Sequence, residues 1–278
     1  MKHYPILFLV CFIFIGETLH AQAKRIITLS TALSEVTYAL GAGSKIVAVD
    51  VTSEYPQEIN KKPRVSKDRN VSLEGLLSFR PDLVLAPPAE LSMAVETKLK
   101  KLGVRVVIIQ QEYSVKGAQR FIREVANTIG EPQAGVQLAN KVNAELGKVM
   151  VKLNGANKKP KVLFVYAQGV GLMSVAGKGS HIEAIISLAG GRNAVQEFND
   201  FKPYSTESLI QTNPDIILLF DFGASSLGGK QGILRMPGVS LTNAGKTGRI
   251  ISMNGPLLIN FANRLPQAIA ELNKLLYP

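Results

Sequence analysis

A fourteen-residue segment that occurs twice constrains the fold more than any other feature of this chain. Residues 72–85 read SLEGLLSFRPDLVL and residues 205–218 read STESLIQTNPDIIL, with six identical positions and three exchanges of Leu or Val for Ile. Each copy has the pattern of a helix, a Pro-Asp break and a buried parallel strand, with Ser72 or Ser205 as the helix N-cap. A unit repeated after 133 residues predicts two similar α/β lobes.

Glutamates recur at matching places in the two halves. Glu74 and Glu207 stand in the first turns of the repeated helices, where the helix dipole favours an anion. Helix stabilisation alone is one interpretation of each carboxylate, but the match favours a function shared by both lobes. A second, shorter pattern also occurs in both halves. Glu35 is followed five residues later by Leu40-Gly41, and Glu183 is followed five residues later by Leu188-Ala189-Gly190.

The rest of the chain alternates short apolar runs with helical patterns, as parallel α/β sheets require. Strands outside the repeat are predicted at 25–29, 46–49, 104–109, 161–166 and 249–253. Helices outside it are predicted at 34–40, 93–102, 181–188 and 260–276. The stretches 30–33, 167–180 and 221–238 are predicted as loops, the last two because they are rich in glycine.

A long helical pattern lies between the halves. Helical periodicity continues over 115–153 with one break at Gly130-Glu131-Pro132, and 132–153 would form a helix of about 30 Å. The predicted fold class is therefore α/β, with two Rossmann-like lobes of mainly parallel sheets joined by one long α-helix. The predicted units are a signal peptide at 1–21, an N-terminal lobe at 22–130, the linking helix at 131–156 and a C-terminal lobe at 157–278.

The first 21 residues have the form of a signal peptide. Lys2 precedes an apolar run over 5–16, which ends in Leu-His-Ala, a sequence suited to signal peptidase. The single cysteine, Cys11, follows Val10 rather than a small residue, so lipoprotein processing is not expected. These features predict a periplasmic protein without cysteine.

The charge balance is strongly basic. There are 32 Lys and Arg against 21 Asp and Glu, a net charge of +11. The basic residues are scattered and not interleaved with aromatic ones, so nucleic-acid binding is not predicted. An anionic ligand, an anionic membrane surface and general solubility each remain compatible with the charge.

Enzyme motifs are absent from the sequence. Gly41-Ala42-Gly43 and Gly169-Val170-Gly171 lack the third glycine of a dinucleotide fingerprint, and neither a P-loop nor a GxSxG elbow occurs. We therefore predict a binding protein, not an enzyme. Its ligand would lie between the lobes, at the carboxyl ends of the strands. These ends are 30–33, 52–55, 86–90, 110–113, 166–173 and 221–230.

Seven segments carry a resemblance to a known family. They are LSEVTYALGA at 33–42, VDVTSEYP at 49–56, SLEGLLSFRPDLVLA at 72–86, VAGKGSHIEAIISLAGGRNAV at 175–195, FKPYSTESL at 201–209, LGGKQGILRMPGVSLTNAG at 227–245 and ANRLPQAIAELNKLLYP at 262–278. The mature chain resembles substrate-binding proteins of ABC importers whose lobes are joined by a single helix, and among them the haem-binding members. The resemblance implies a monomer that captures haem, as transported ligand, and delivers it to a permease dimer at the inner membrane.

One loop departs from the pattern of the haem-binding members. They usually carry Gly-Tyr-x-Arg just before the first repeat, and the tyrosinate ligates iron, whereas residues 66–69 here read Ser-Lys-Asp-Arg. Lys67 replaces the tyrosine, and protonated lysine has no lone pair for iron. His181, at a helix start after the Gly-rich stretch, is the predicted metal ligand, although a solvent-exposed histidine is an equal alternative.

Further ligand contacts are predicted from residue type and position. Lys67, Arg69 and Lys178 could pair with propionates. For each of them an ordinary solvated charge is the alternative interpretation. Four tyrosines near strand ends could stack on a porphyrin or ligate its metal: Tyr55, Tyr113, Tyr166 and Tyr204.

The resemblance also implies a role for the repeated glutamates. Glu74 and Glu207 match the positions that dock with basic residues of the permease.

A binder of another metal chelate, a ferric siderophore or a corrinoid, is the alternative to a haem binder, and an exported α/β hydrolase is a more distant one.

Overall fold

The structure is a computed structural model that describes residues 22–68, 70–155, 157–167 and 173–278. The predicted signal peptide therefore lies outside the described residues. Within them the main strands form two sheets, one drawn from 26–108 and the other from 161–253. Helices pack around both sheets, so the predicted α/β fold class is confirmed.

The first sheet is parallel throughout, with strand order β2-β1-β3-β4. Its strands are β1 Ile26–Thr28, β2 Ile46–Val49, β3 Leu83–Ala86 and β4 Arg105–Ile108. The helices of this half are α1 Thr31–Thr37, α2 Gln57–Asn60, α3 Leu73–Leu77, α4 Met93–Lys101 and α5 Val115–Ile129, with a π-helical turn at Tyr38–Ala42 and a 3-10 turn at Gly43–Lys45.

The second sheet is mixed, with order β10-β9-β5-β6-β8 and with β7 also paired to β5. Its strands are β5 Lys161–Ala167, β6 Met173–Ala176, β7 Arg192–Asn193, β8 Phe201–Pro203, β9 Ile216–Phe220 and β10 Ile250–Met253. Its helices are α7 His181–Leu188, α8 Thr206–Thr212, α9 Asp221–Ser226, α10 Gly229–Leu234, α11 Asn243–Thr247, α12 Gly255–Asn260 and α13 Leu265–Leu276, with a 3-10 turn at Val239–Leu241. Strands β6 and β8 pair antiparallel.

The repeated segments adopt the same local structure. The Ser72 side chain accepts a hydrogen bond from the backbone N of Gly75 at 3.0 Å, and Ser205 accepts one from Ser208 at 3.1 Å. Both predicted N-caps are therefore confirmed, and each is worth about 1 kcal/mol to its helix.

The repeated aspartate anchors each copy to the first strand of its sheet. Asp82 accepts from the backbone N of Arg25 at 3.1 Å, just before β1. Asp215 accepts from the backbone N of Lys161, the first residue of β5, at 2.9 Å. The Lys161 Nζ in turn donates to the carbonyl of Thr212, at the end of α8. The Pro-Asp pair of each repeat thus joins a helix end to a strand start.

The long helix between the sheets is α6, Pro132–Lys152, which follows a left-handed Gly130. It packs against α5 and also against α13 of the second half. At Gly135 a Cβ would lie 2.3 Å from the Ala126 Cβ, so only glycine lets α5 and α6 approach this closely. The helix is therefore packed against both halves, although the exact unit boundaries stay a prediction.

One apolar cluster runs through both halves. It includes Ile26 and Leu83 of the first sheet, Val162 and Phe164 of the second, and buried side chains of α1, α5, α6, α12 and α13. Side chains alternate along β5, so Leu163 and Val165 face a separate cluster on the other side of the second sheet.

Three sequence-based expectations about loops are wrong. Helix α1 begins at Thr31, with Ser30 as its N-cap, so most of 30–33 is helical. Residues 221–238 hold α9 and α10, and a Cβ at Gly232 would meet the Leu227 carbonyl at 1.7 Å, so this glycine serves close packing. The stretch 167–180 includes Ala167, the last residue of β5, and the whole of β6, whose four residues are too few to show a period. Residues 168–172 of this stretch lie outside the described residues.

Candidate functional site: the cleft between the two sheets

A cleft of about 900 Å³ lies between the two halves. This volume is at the upper end of the range for small-molecule pockets. Residues from 30–33, 52–55, 86–90, 110–113 and 166–173 line it, as predicted for the carboxyl ends of strands. The sixth predicted segment, 221–230, contributes none of the lining residues; Phe220, at the end of β9, lies there instead.

His181 lies in this cleft as the first residue of α7. A reciprocal cap holds the helix start, because Ser180 accepts from the backbone N of Glu183 at 3.2 Å and Glu183 accepts from that of Gly179 at 2.6 Å. Ser180 also donates to the Gly177 carbonyl at 2.7 Å. The imidazole is therefore carried on a fixed helix start.

The His181 imidazole has the properties of a metal ligand. Burial lowers its pKa to about 4, so the ring is neutral at physiological pH. It lies between the rings of Tyr113 and Phe201, at centroid distances of 5.5 and 5.7 Å. Neither ring nitrogen has a hydrogen-bond partner among the described residues. A lone pair is thus available to a ligand that enters the cleft.

The lowered pKa of His181 predicts a pH dependence of stability. Between pH 6.5 and pH 4 the unfolded chain binds a proton at this imidazole and the folded chain does not. We expect the free energy of unfolding of the ligand-free protein to fall by up to about 3 kcal/mol as pH decreases through this window. Denaturant unfolding at several pH values measures it, with His181→Asn as reference. Parallel pH profiles of the two proteins would contradict the assignment.

An aromatic group lines the second-half wall of the cleft. Tyr166 at the end of β5 packs edge-on against Phe220 at 5.8 Å and Phe222 at 6.2 Å, and the two phenylalanines stack at 5.3 Å. Phe222 is 55% exposed and is not itself a lining residue, whereas Tyr166 and Phe220 are. Such rings suit a flat apolar ligand.

Tyr113 faces His181 from the first half. Burial, with the nearby Asp200 carboxylate as a smaller cause, raises the pKa of the Tyr113 phenol above its ordinary value. The phenol is therefore protonated at neutral pH and acts as a hydrogen-bond donor or a stacking surface. Phenolate ligation of iron by Tyr113 is disfavoured.

The first-half wall is polar and acidic. Asp50, Asp68 and Glu90 lie along it, and none of the lining residues that the structure describes is Lys or Arg. The Asp50 carboxylate already accepts hydrogen bonds from its own loop, from the Thr52 backbone N at 2.9 Å and from the Ser53 hydroxyl at 2.5 Å. The net positive charge of the protein therefore lies elsewhere than on this wall.

The structure does not bring all predicted contact residues into the cleft. Lys67 is exposed at the rim, between Ser66 and Asp68, which do line it. Arg69 lies outside the described residues. Tyr204 points away, since its hydroxyl hydrogen-bonds Thr212 and its ring packs on the cluster formed by Leu163 and Val165. The prediction of Tyr204 as a ligand contact is corrected for a physical reason: successive residues of an extended segment face opposite sides, and Pro203 takes the cleft side.

The repeated glutamates lie outside the cleft. Glu74 on α3 and Glu207 on α8 are exposed, and neither forms an ion pair with another described residue. Hydrogen bonds with its own backbone and with the Ser205 side chain lower the pKa of Glu207. Two exposed carboxylates, neither in an ion pair with a described residue, therefore stand at equivalent places in the two halves.

Sequence reasoning missed several cleft residues. Phe201 and Phe220 are the main ones. Phe220 ends a predicted strand, so its position was available from the sequence, whereas Phe201 lies on β8, a three-residue strand without a periodic signal.

The family of the chain follows from a match to the family model described as periplasmic binding protein, which covers residues 26–257. The chain belongs to this family. Its members are substrate-binding proteins, so the prediction that the chain is not an enzyme is confirmed. The described helices include none that is long and apolar enough to cross a membrane.

Particular relatives agree with this assignment. The structure of the periplasmic haem-binding protein BhuT in complex with two haems superposes with a TM-score of 0.85 at 34% identity, over 91% of this chain and 97% of that one. The vitamin B12-binding protein of Vibrio parahaemolyticus is 30% identical over 70% of each chain. The ABC transporter substrate-binding lipoprotein YvrC of Bacillus subtilis is 26% identical over 94% of this chain and 82% of its own length. The protein is a substrate-binding component of an ABC transporter.

Proposed function

We propose that this protein captures haem in the cleft between its lobes and delivers it to the membrane permease of an ABC importer. The observation that carries the proposal is His181: a neutral imidazole without a hydrogen-bond partner among the described residues, flanked by aromatic rings, in a cleft large enough for a porphyrin. Iron haem accepts an axial imidazole. The similarity to a haem-binding protein over nearly the whole chain supports it.

The residues present fit haem in a defined way. His181 would hold the iron, and Tyr113 and Tyr166 would contact the ring. Lys67 at the rim would pair with a propionate, and so would Arg69, which lies outside the described residues. The iron supplies a Lewis-acid centre for the imidazole lone pair. The acidic first-half wall would direct the propionates towards the rim, because carboxylates repel one another.

A corrinoid is the second candidate, and one observation favours it. The described lining holds carboxylates, amides and hydroxyls but no Lys or Arg, which suits a ligand edged with neutral amides better than one with carboxylates. The vitamin B12-binding relative agrees with this alternative. A ferric siderophore, which needs basic groups, fits the described lining less well.

Titration separates these candidates. Ferric haem added to the purified protein should give a shifted Soret band that saturates, and the chain should retain haem through gel filtration. Cobalamin retention without a Soret shift would favour the corrinoid. Retention of neither would overturn both.

We also infer export to the periplasm, where a monomer with a mature N-terminus near Gln22 would meet its ligand. The Leu-His-Ala end of the apolar run is the reason. N-terminal sequencing of the exported protein should begin within a few residues of Gln22. An exported protein that begins at Met1 would contradict the inference.

A further inference from the structure

The two halves are joined by a buried ion pair. Arg264, between α12 and α13, donates from Nε to Glu35 Oε2 at 2.6 Å and from Nη2 to Glu35 Oε1 at 2.5 Å. The residues are 229 positions apart, and their side chains are 11% and 0% exposed. Glu183, which echoes Glu35 in the sequence, caps its own helix instead. A two-bond pair of this kind fixes both distance and orientation.

Further contacts surround this pair. The Tyr55 ring lies 3.9 Å from the Arg264 guanidinium and covers it on one side. Gln111 donates to the carbonyls of Asn260 at 2.7 Å and Phe261 at 3.2 Å. The segment 260–264 of the second half is thus held by side chains from three separate places in the first half.

These contacts connect directly to the cleft walls. Glu35 lies on α1, whose first residues line the cleft, while Ile259 lines it just before the segment that carries Arg264. Gln111 also lines the cleft. Any change in the Glu35–Arg264 geometry would therefore move one wall relative to the other.

Stability alone is a weak reason for this ion pair. Desolvation of a buried carboxylate is costly, and here burial raises the pKa of Glu35 to about 7 despite the guanidinium beside it. Apolar side chains of similar size often serve stability as well or better. Defined geometry is what the charged pair provides and an apolar pair does not.

We propose that the Glu35–Arg264 pair, covered by Tyr55, is an interlobe pin that sets the width of the cleft. The two residues act as positioning residues: they hold the walls at the separation that the ligand requires without contacting the ligand. The pin selects ligands by thickness. Two measurements test this proposal. The rate of haem dissociation rests on the proposed haem binding, whereas the distance between the two halves can be measured without any ligand.

The test compares two variants with a matched control. Glu35→Gln keeps the shape of the side chain and removes its charge, and Glu35→Leu with Arg264→Met replaces the pair by apolar groups. Glu96→Gln removes a surface pair with Lys100 that lies within one helix. Spin labels at Met93→Cys and Leu241→Cys, which are 83% and 58% exposed on opposite halves, report the interlobe distance in a Cys11→Ser background.

We expect one narrow distance distribution for the parent and for Glu96→Gln, and a broader one for both pin variants. Haem dissociation should be about tenfold faster in the pin variants, within the usual range for coupled sites. Narrow distributions in both pin variants would overturn the proposal, as would a broad distribution with unchanged haem retention. If the parent protein bound no haem, the proposed function would be wrong. The distance measurement would still test whether the Glu35–Arg264 pair fixes the separation of the two halves.

Discussion

Replacing His181 with alanine should shift the Soret band of the ferric haem complex and weaken haem retention by about 100-fold. The magnitude follows from the removal of the only described imidazole in the cleft, since changes even to the supporting shell of a metal ligand cost 10- to 100-fold. Absorption titration and competition with a haem scavenger measure the two effects.

A control for this experiment is Tyr204→Phe. Tyr204 lies on the same half but faces away from the cleft, so this variant should keep the parent spectrum and affinity. A His181→Ala protein with the parent spectrum would remove His181 as the iron ligand. The search would then turn to Tyr166, the other tyrosine besides Tyr113 that lines the cleft, because the raised pKa of Tyr113 disfavours its phenolate.

The second large effect should come from the repeated glutamates. Changing Glu74 and Glu207 together to lysine should reduce transport by about tenfold or more and leave haem binding intact. Two basic groups would then face the basic residues proposed on the permease, and charge complementarity governs orientation and encounter rate at such surfaces. Alanine at both positions should give a smaller loss. Haem uptake by cells, measured beside the melting curve of each purified variant, tests this prediction.

Two controls separate docking from helix capping. Ser72→Ala with Ser205→Ala removes both caps but keeps both carboxylates, so it should lower stability and spare transport. Glu58→Ala removes an exposed carboxylate from the first turn of α2 and should change neither. Normal transport in the lysine variant would show that these carboxylates serve their helices alone.

Local signals in the sequence predicted the local structure well. The caps at Ser72 and Ser205 and the start of α6 at Pro132 each depend on neighbouring residues only, and each is confirmed. The carboxyl ends of the strands also located most of the cleft, because parallel strands must end on one edge of their sheet.

Features that depend on distant partners were not available from the sequence. The Glu35–Arg264 pair joins residues 229 positions apart, and no pattern relates them. The direction of Tyr204 depends on the register of β8, a strand too short to show alternation. The lowered pKa of His181 results from burial between rings of both halves, which becomes visible only when those halves are assembled.

Because a single apolar cluster runs from the first sheet through α5, α6 and α13 to the second, neither half can unfold without exposing core surface of the other to water. We therefore expect thermal denaturation to be one cooperative event for both halves, in which calorimetric and van't Hoff enthalpies agree. A ligand bound in the cleft would then protect both halves equally, since its binding free energy would be added to a single equilibrium.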